Sequence, residues 1–441
     1  MEYYLYGILL FGNKMNFFSK IKQNEFLKAV SVLMTGTVLA QAIGYFLAPV
    51  ITRLFTPEEM GEFGMFQRIV VLIATISTAR YEFSLPLPKK DGHAFLLYRF
   101  AIKICFIVIA ITVFLSLIFG FAYSKSIDFY LVLLGFALAV FSLVLYNLGN
   151  NWAIRKEEFA KISFAKMTNS ISLNGSRVLF GVFGYGSFGL IASFIISLFV
   201  AASHFSKDLF FNTFRFKPFF SKKKQWAIAK KHKDFPLANL PHALSDNLRD
   251  VFVALLIIEC FSESVFGSFD HSFRMLRIPI MIVGTSMSQV FFNRISNLTK
   301  EGKKLFPLFK KIIIILFLVS IIPFAIIFFF GGPLFSFIFG SEWHQSGLLS
   351  EIMVPWLMLN FMVSPLSTAP LVLGKQRSYF IVGLTASLLQ LSGFFFLPML
   401  LGTNQEGLFW VFKIVSWSQA LFSIFILYYL YRIIKNHDIN V

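Results

Sequence analysis

The fold is decided by residues 36–90, which read GTVLAQAIGYFLAPVITRLFTPEEMGEFGMFQRIVVLIATISTARYEFSLPLPKK. Two apolar runs, each long enough for a membrane-spanning helix of about 20 residues, flank the short acidic turn TPEE at residues 56–59. The second run ends in the polar group RYE, residues 80–82. A charged group within a membrane-length helix is energetically costly and usually functional. The stretch therefore predicts a helical hairpin that crosses a membrane and carries a functional polar group at one end.

The composition extends this prediction to the whole chain. Of its 441 residues, 57% are hydrophobic and only 14% are charged, whereas soluble domains carry about 25% charged residues. The apolar runs are continuous rather than alternating, unlike those of a membrane β-barrel. We therefore predict an all-α integral membrane protein with about 12 transmembrane helices, since each needs about 20 apolar residues. The predicted spans are 29–53, 63–87, 100–121, 129–152, 162–183, 187–206, 237–258, 264–292, 308–331, 350–373, 378–400 and 407–431.

The formal net charge of +18 is explained by the membrane topology of the chain and does not indicate nucleic-acid binding. Lysine and arginine accumulate in cytoplasmic loops, and here they concentrate at both ends of the chain and in the connections after even-numbered spans. Both termini are therefore expected in the cytoplasm. The first fourteen residues precede a more natural basic start at Met15. The predicted domains are an N-terminal segment 1–28, a six-helix lobe 29–206, a basic linker 207–236, a second six-helix lobe 237–431 and a tail 432–441.

An internal repeat relates the two predicted lobes. The segment FTPEEMGEF at residues 55–63 recurs 206 residues later as FSESVFGSF, residues 261–269. Six spans return the chain to its starting side, so the lobes are parallel repeats around a central cavity, as in transporters that rock one lobe against the other. The matched residues are Phe55 with Phe261, Gly61 with Gly267, Phe63 with Phe269 and Arg68 with Arg274.

Arginines within the predicted spans indicate an anion-binding cavity. Buried ions need partners or water, and guanidinium groups bind diphosphate bidentately. Asparagines on the fourth and fifth spans add groups suited to sugar hydroxyls or to bonds between helices. The candidate substrate-binding residues are Arg53, Arg68, Arg80, Arg177, Arg249, Arg274, Arg277, Asn147, Asn151 and Asn174.

Four acidic residues in the predicted spans have two interpretations. Because a cavity carboxylate can have a raised pKa and exchange protons, each is a candidate for coupling transport to protons or sodium. The alternative is mutual neutralisation, in which Asp246 pairs with Arg249, Asp270 pairs with Arg274 and Glu82 pairs with an arginine of a neighbouring span. The side chains of Arg80 and Glu82, which are two residues apart, are expected to point in different directions. The four acids are Glu82, Asp246, Asp250 and Asp270.

Nothing in the sequence predicts an enzyme. The seven histidines are scattered without the spacing of a catalytic or metal cluster. Cys105 and Cys260 lie in apolar runs and indicate neither a disulfide framework nor a metal site. No glycine-rich phosphate-binding motif is present. We therefore expect no catalytic residue, no metal and no cofactor.

Three segments carry a family resemblance. LAPVITRLFTPEEMGEFGMF (47–66), followed by TARYEFSLPLPK (78–89), resembles the N-terminal hairpin of the Wzx-type polysaccharide biosynthesis flippases of O-antigen and capsule pathways. FRMLRIPIMIVGTSMSQVFFNRIS (273–296) resembles their eighth span, and VPWLMLNFMVSPLSTAPLVLGKQR (354–377) resembles their tenth. The matches occur in the family's order and the resemblance covers residues 30–430.

The resemblance implies the fold of the multidrug/oligosaccharidyl-lipid/polysaccharide exporter superfamily in a bacterial inner membrane. It implies an undecaprenyl-diphosphate-linked oligosaccharide as substrate, moved from the cytoplasmic to the outer leaflet. Membrane lipids, a polysaccharide polymerase and a chain-length regulator are the other partners it implies. The alternative is a cation-coupled drug or small-molecule exporter of the same superfamily, whose cavity should favour carboxylates over arginines. The glycan carried and the energy source stay open.

Overall fold

The computed structural model describes residues 25–123, 127–215, 221–278 and 280–439. Within these ranges the regular secondary structure is helical and contains no strand. The segment before Met15 lies outside the described residues. The prediction of an all-α chain is therefore confirmed for the described part of the molecule.

Helices follow the twelve predicted spans in chain order. The first half contains α1 Glu25–Leu54, α2 Pro57–Thr78, α3 Asp91–Tyr123, α4 Ile127–Arg155, α5 Phe159–Val182, α6 Gly186–Arg215 and α7 Lys222–Lys231. The second half contains α8 Leu240–Cys260, α9 Glu263–Leu276, α10 Thr285–Lys300, α11 Phe306–Phe339, α12 His344–Leu366, α13 Ala369–Val372, α14 Gln376–Leu401 and α15 Gln405–Ile439. Short 3₁₀ turns at Tyr81–Ser84 and Ser341–Trp343, and π turns at Phe235–Asn239 and Ile280–Gly284, connect some of them.

In the described ranges, nine of these helical stretches are long and apolar enough to cross a membrane. The predicted spans 162–183, 237–258 and 264–292 correspond to helices that are not among the nine. The helices of the first two of these spans carry several charged and amide side chains, which lowers their hydropathy. The predicted continuous span 264–292 is instead divided into α9, of 14 residues, and α10, of 16 residues, with the π turn Ile280–Gly284 between them. Each of these two helices is shorter than the stretch of about 20 residues that crosses a membrane. The chain is therefore a multi-pass membrane protein whose polar side chains are concentrated on a few helices.

The end of α2 differs from the predicted span 63–87. The helix ends at Thr78 because Ala79 and Arg80 adopt left-handed conformations, with φ of 46° and 61°. Such conformations are unfavourable for residues with a Cβ and persist where the surroundings enforce them. The chain then makes a 3₁₀ turn, in which the Tyr81 hydroxyl donates to the Ala229 carbonyl at 3.2 Å. The second predicted span is therefore about nine residues too long at this end.

The described residues form two compact units. The N-terminal unit contains the described residues up to Leu47, together with Ile73–Phe183 and Gly189–His242. The C-terminal unit contains Ala48–Leu72, Gly184–Phe188 and the described residues from Ala243 onward. The division passes through α1 and α2, so each of these helices contributes to both units. The predicted lobe boundaries at 206 and 237 stay a prediction.

The N-terminal unit is organised around aromatic contacts between α3 and α4. The Phe95 ring stacks on Tyr98 at 5.6 Å and meets Trp152 edge-on at 5.8 Å. Beside them, Asp91 at the start of α3 forms ion pairs with Arg155, at 2.9 Å, and with Lys156. The aromatic contacts and the ion pairs fix the start of α3 against the end of α4.

The C-terminal unit contains a large apolar core and the two repeated turns. Trp343 is fully buried, its ring lies 4.5 Å from His271, and its Nε1 donates to the Thr52 carbonyl at 2.7 Å. This bond joins the end of α1 to the turn before α12. An indole N–H needs such a partner when it is buried.

The two repeated turns begin α2 and α9 in the same way. The Thr56 hydroxyl accepts a bond from the Glu59 N–H at 3.2 Å, while the Glu59 carboxylate accepts one from the Thr56 N–H at 2.9 Å. Together these bonds form a capping box. At the second turn the Ser262 hydroxyl accepts from the Val265 N–H at 3.2 Å. Hydroxyl side chains 206 residues apart therefore cap both helices.

The first turns of α2 and α9 pack on each other through glycines. A Cβ added to Gly61 would lie 2.1 Å from the Glu263 carbonyl oxygen, and one added to Gly267 would lie 1.8 Å from that of Pro57. Glu263 follows Pro57 by the same 206 residues that separate the two glycines. The contact is therefore reciprocal between the two copies of the repeat, and only glycine allows so close an approach of two helix backbones.

Candidate functional site

The repeat-related arginines of the C-terminal unit meet at one carboxylate. Arg68 on α2 lies 2.6 Å from Asp270 Oδ1, and Arg274 on α9 lies 2.6 Å from Asp270 Oδ2. The four-residue spacing places Asp270 and Arg274 on one face of α9. The predicted pairing of Asp270 with Arg274 is confirmed, but the second bond to Arg68 was not predicted.

This cluster lines a cavity of about 200 Å³ within the C-terminal unit. The cavity is bounded by residues from α2, α8 and α9, and both ionic and amide side chains reach it. The lining residues are Gln67, Arg68, Val71, Asn247, Asp250, Asp270 and Arg274.

The two arginines differ in how firmly they are held. The Arg68 side chain is 21% exposed, donates a further bond to the Gly64 carbonyl at 3.2 Å and lies 4.7 Å from the Phe266 ring centre. The Arg274 side chain is 43% exposed. Arg68 is therefore a positioning group, whereas Arg274 is the more accessible cation in the cavity.

Asp270 is the internal counter-ion of this cluster. Its side chain is 11% exposed and each of its oxygens accepts a charge-assisted bond from a different guanidinium. Two guanidiniums and one carboxylate carry a net charge of +1. Both bonds stabilise the charged carboxylate, so Asp270 neutralises part of the positive charge of the two arginines. Its predicted role in ion coupling stays a prediction.

A second ionic cluster lies on α8. Arg249 Nη2 lies 2.9 Å from Asp250 Oδ1, and Arg249 Nη1 lies 3.7 Å from Asp246 Oδ1. The predicted Asp246–Arg249 pair is therefore present, but the shorter contact is to Asp250. Arg249 also donates to the Ser387 hydroxyl at 3.3 Å, which joins α8 to α14. Asp250 thus reaches the cavity as part of an ion pair.

Two other predicted arginines of the C-terminal unit do not line the cavity. Arg53 donates to the Phe337 carbonyl at 3.1 Å and joins the end of α1 to α11. Arg277 follows the last residue of α9 and lies 5.1 Å from the Phe273 ring centre. Their predicted role in substrate binding stays a prediction.

In the N-terminal unit, Arg80 and Glu82 lie close together, contrary to the prediction that they point apart. Arg80 Nη1 is 3.7 Å from Glu82 Oε1, because the left-handed residues before the 3₁₀ turn replace the expected helix. Arg80 Nε also donates to Asn239 Oδ1 at 2.9 Å. Glu82 is 3% exposed, and its Oε2 has no hydrogen-bond partner among the described residues. Burial raises the pKa of this carboxyl, which lies beyond the span that ends at Thr78.

The predicted amide ligands are also in the N-terminal unit. The amide of Asn151 donates to the Asn147 carbonyl at 2.9 Å, and that of Asn174 donates to the Ser170 carbonyl at 2.8 Å. Both bonds run one turn back along the same helix, a local pairing common for polar residues in helices. Arg177 is buried on the same helix as Asn174. A role for these side chains as sugar ligands stays a prediction.

Three cavity residues were not predicted from the sequence. Gln67 directly precedes Arg68, and Asn247 directly follows Asp246, so an amide beside a charged residue in a predicted span was the available signal. Val71 is apolar and had no such signal. Where the structure describes the chain, no group of three or more His, Cys, Asp or Glu side chains is placed to hold a metal ion.

The arrangement is suited to binding an anion. Of the two guanidiniums, that of Arg274 is the more exposed to an anionic ligand. Such a ligand must compete with Asp270 for the N–H donors of both arginines. A ligand with two linked anionic groups satisfies two guanidiniums at once, because each guanidinium presents a planar set of donors.

The sequence matches one protein family over a range that contains this cavity. The sequence matches the model of the family described as "Polysaccharide biosynthesis protein" over residues 50–347, well over half of the chain. The chain belongs to this family. The matched range contains α2, α8 and α9 and therefore every residue that lines the cavity. The resemblance drawn from the three sequence segments is confirmed at the level of the family.

Solved structures show the same fold at low sequence identity. A multidrug resistance MATE family transporter of the MOP superfamily, in an inward-facing conformation, matches with a TM-score of 0.67 and 15% identity, over 93% of this chain and 98% of that one. The lipid II flippase MurJ matches with a TM-score of 0.68 and 14% identity, over 92% and 90% of the two chains. A MOP superfamily transporter from Pyrococcus furiosus matches with a TM-score of 0.58 and 14% identity, over 93% and 96%. No curated protein matches the sequence.

Proposed function

We propose that the protein is a flippase for undecaprenyl-diphosphate-linked oligosaccharide repeat units of O-antigen or capsular polysaccharide. It moves them from the cytoplasmic to the outer leaflet of a bacterial inner membrane by alternating access. Family membership supports a role in polysaccharide biosynthesis. The fold, shared with a lipid II flippase and a multidrug transporter, supports translocation rather than catalysis.

The observation that carries the proposal is the cluster formed by Arg68, Asp270 and Arg274 in the cavity of the C-terminal unit. Two guanidiniums that share one carboxylate are a suitable site for a diphosphate, because the ligand replaces the carboxylate with two anionic groups. Charged residues inside membrane proteins generally mark substrate or ion pathways.

The proposal includes a topology and a set of partners. Both termini lie in the cytoplasm, and membrane lipids surround the spans. The lipid-linked glycan is handed on to a polysaccharide polymerase, with a chain-length regulator nearby. No cofactor and no nucleic acid takes part.

Translocation is tested with purified protein in proteoliposomes that contain an undecaprenyl-diphosphate oligosaccharide labelled on the sugar with a fluorophore. A membrane-impermeant reductant bleaches only the label in the outer leaflet. Wild-type protein is expected to bring the labelled lipid of the inner leaflet into contact with the reductant. Arg274→Ala is expected to slow this step at least about tenfold, which is the factor for about 1.4 kcal/mol of lost binding. Lys303→Ala, which removes an exposed lysine of another ion pair, is the matched control.

A cation-coupled exporter of small molecules is the second candidate. The multidrug transporter fold and the two acidic residues of the cavity, Asp250 and Asp270, favour it. The same proteoliposomes loaded with ethidium distinguish the two. Gradient-driven ethidium transport without exposure of the labelled lipid would overturn the flippase proposal.

A further inference from the structure

Helix α7 presents two different faces. Gln225 and Ala229, four residues apart and hence on one face, are buried inside the N-terminal unit, to which α7 belongs. The other positions carry a dense positive charge, and residues 222–233 contain no acidic side chain. The exposed lysines of this segment are Lys222, Lys223, Lys224, Lys230, Lys231 and Lys233.

The buried face is attached to α3 and to the 3₁₀ turn Tyr81–Ser84 by specific bonds. Gln225 Nε2 donates to the Leu96 carbonyl at 3.1 Å, and its Oε1 accepts a bond from Lys103 Nζ at 2.7 Å. The Ala229 carbonyl accepts a bond from the Tyr81 hydroxyl at 3.2 Å. These bonds hold α7 beside the first three to four turns of α3, so its lysines have a defined position.

A tryptophan marks the depth at which α7 lies. Trp226 is 65% exposed, and its ring meets Phe100 of α3 edge-on at 6.1 Å. α3 begins at Asp91 and is apolar enough to cross a membrane from there to Ile118. Trp226 therefore lies near the end of a membrane-spanning helix, where tryptophan is enriched because its ring is apolar and its N–H is polar.

We propose that α7 is a membrane-surface helix that binds anionic glycerophospholipid headgroups in the leaflet at this end of α3. Trp226 inserts at the headgroup level, and the lysines around it contact phosphates of several lipids at once. The charge is spread along an exposed helix rather than gathered in a pocket, which fits the surface of an anionic bilayer. Each lysine near such a surface strengthens the association of the segment with an anionic rather than a neutral surface about fivefold.

Site-specific cross-linking of the full chain tests this proposal. The photoreactive residue benzoylphenylalanine replaces Trp226, and the protein is reconstituted in vesicles of equal parts phosphatidylglycerol and phosphatidylcholine. After illumination, the two cross-linked lipids are counted by mass spectrometry. We expect phosphatidylglycerol to exceed phosphatidylcholine at least about fivefold, the factor for one lysine at the surface.

Two lysine variants complete the test. The substitution of glutamine for Lys222, Lys223, Lys224, Lys230, Lys231 and Lys233 leaves the bonds of Gln225 and Ala229 in place and should bring the lipid ratio close to one. A control variant with glutamine at the exposed residues Lys303, Lys304, Lys310 and Lys311 should keep the original ratio. A ratio of phosphatidylglycerol to phosphatidylcholine near one in the protein that keeps all its lysines would overturn the proposal. A ratio that stays unchanged in the α7 variant would overturn it as well.

Discussion

Replacing Arg68 with alanine is expected to destabilise the protein more than replacing Arg274, although both guanidiniums lie 2.6 Å from the same carboxylate. The two residues occupy equivalent positions of the repeat, so sequence and distance alone predict equal effects. The difference arises from burial and from the additional contacts of Arg68.

The magnitude follows from these contacts. Arg68→Ala removes a bond to a charged group, worth about 1.5–3 kcal/mol, and a cation–π contact with Phe266, worth about 0.5–2 kcal/mol. A total of about 3 kcal/mol is expected because Asp270 keeps its second partner. The Arg274 side chain is 43% exposed, and pairs with such an exposed member contribute about 0–1 kcal/mol.

In the assay, detergent-purified protein is heated to a series of temperatures. The fraction that remains folded at each temperature is then measured by size-exclusion chromatography. Arg68→Ala should lower the apparent melting temperature clearly, Arg274→Ala slightly, and the control Lys303→Ala not at all. Equal shifts for the two cavity arginines, or a larger shift for Arg274→Ala, would refute the argument from burial. If the order is as expected, the loss of transport in Arg274→Ala can be assigned to ligand binding rather than to unfolding.

Three further outcomes are expected. Gly267→Ala should abolish the recovery of monodisperse protein, because the added Cβ would lie 1.8 Å from a backbone oxygen. The control Gly383→Ala should be recovered normally, because its Cβ would meet no atom within 4 Å. Trp343→Phe should cost about 1–3 kcal/mol by leaving a buried carbonyl unpaired, and Trp410→Phe on an exposed ring should leave the melting temperature unchanged. Burial raises the pKa of Glu82 in the folded state above that in the unfolded state. The folded state therefore loses stability as the pH rises through this raised pKa and the carboxyl ionises. Glu82→Gln should therefore melt at a higher temperature than the wild type at pH 8 and at a similar temperature at pH 5; a higher melting temperature at pH 5 as well would contradict this.

The spans could be predicted because length and hydropathy are local in sequence, and the repeat could be predicted because the same short local pattern occurs twice. Length and hydropathy located the membrane helices, and the spacing of four residues on α9 predicted the bond between Asp270 and Arg274. The second bond, to Arg68, joins residues 202 positions apart. It depends on the close approach of α2 and α9, which no local pattern encodes.

The polar group at the end of α2 was predicted in the wrong conformation for a related reason. Apolar residues continue beyond Thr78, so hydropathy extends the helix to residue 87. The left-handed Ala79 and Arg80 are held by distant contacts, such as the bonds from Arg80 to Asn239 and from Tyr81 to Ala229. Propensity cannot anticipate a backbone conformation that the surrounding structure imposes.

The glycine contact between α2 and α9 also shows a local two-fold symmetry. Gly61 approaches the carbonyl at the position of Pro57 in the other copy, and Gly267 approaches the carbonyl of Pro57 itself. Such mutual pairing of one surface with its own duplicate is the signature of an isologous interface. The two turns therefore pack on each other as the two halves of a two-fold pair would. The pairing is not exact in its side chains, because Asp270 contacts both arginines whereas the equivalent residue of the first copy is Gly64.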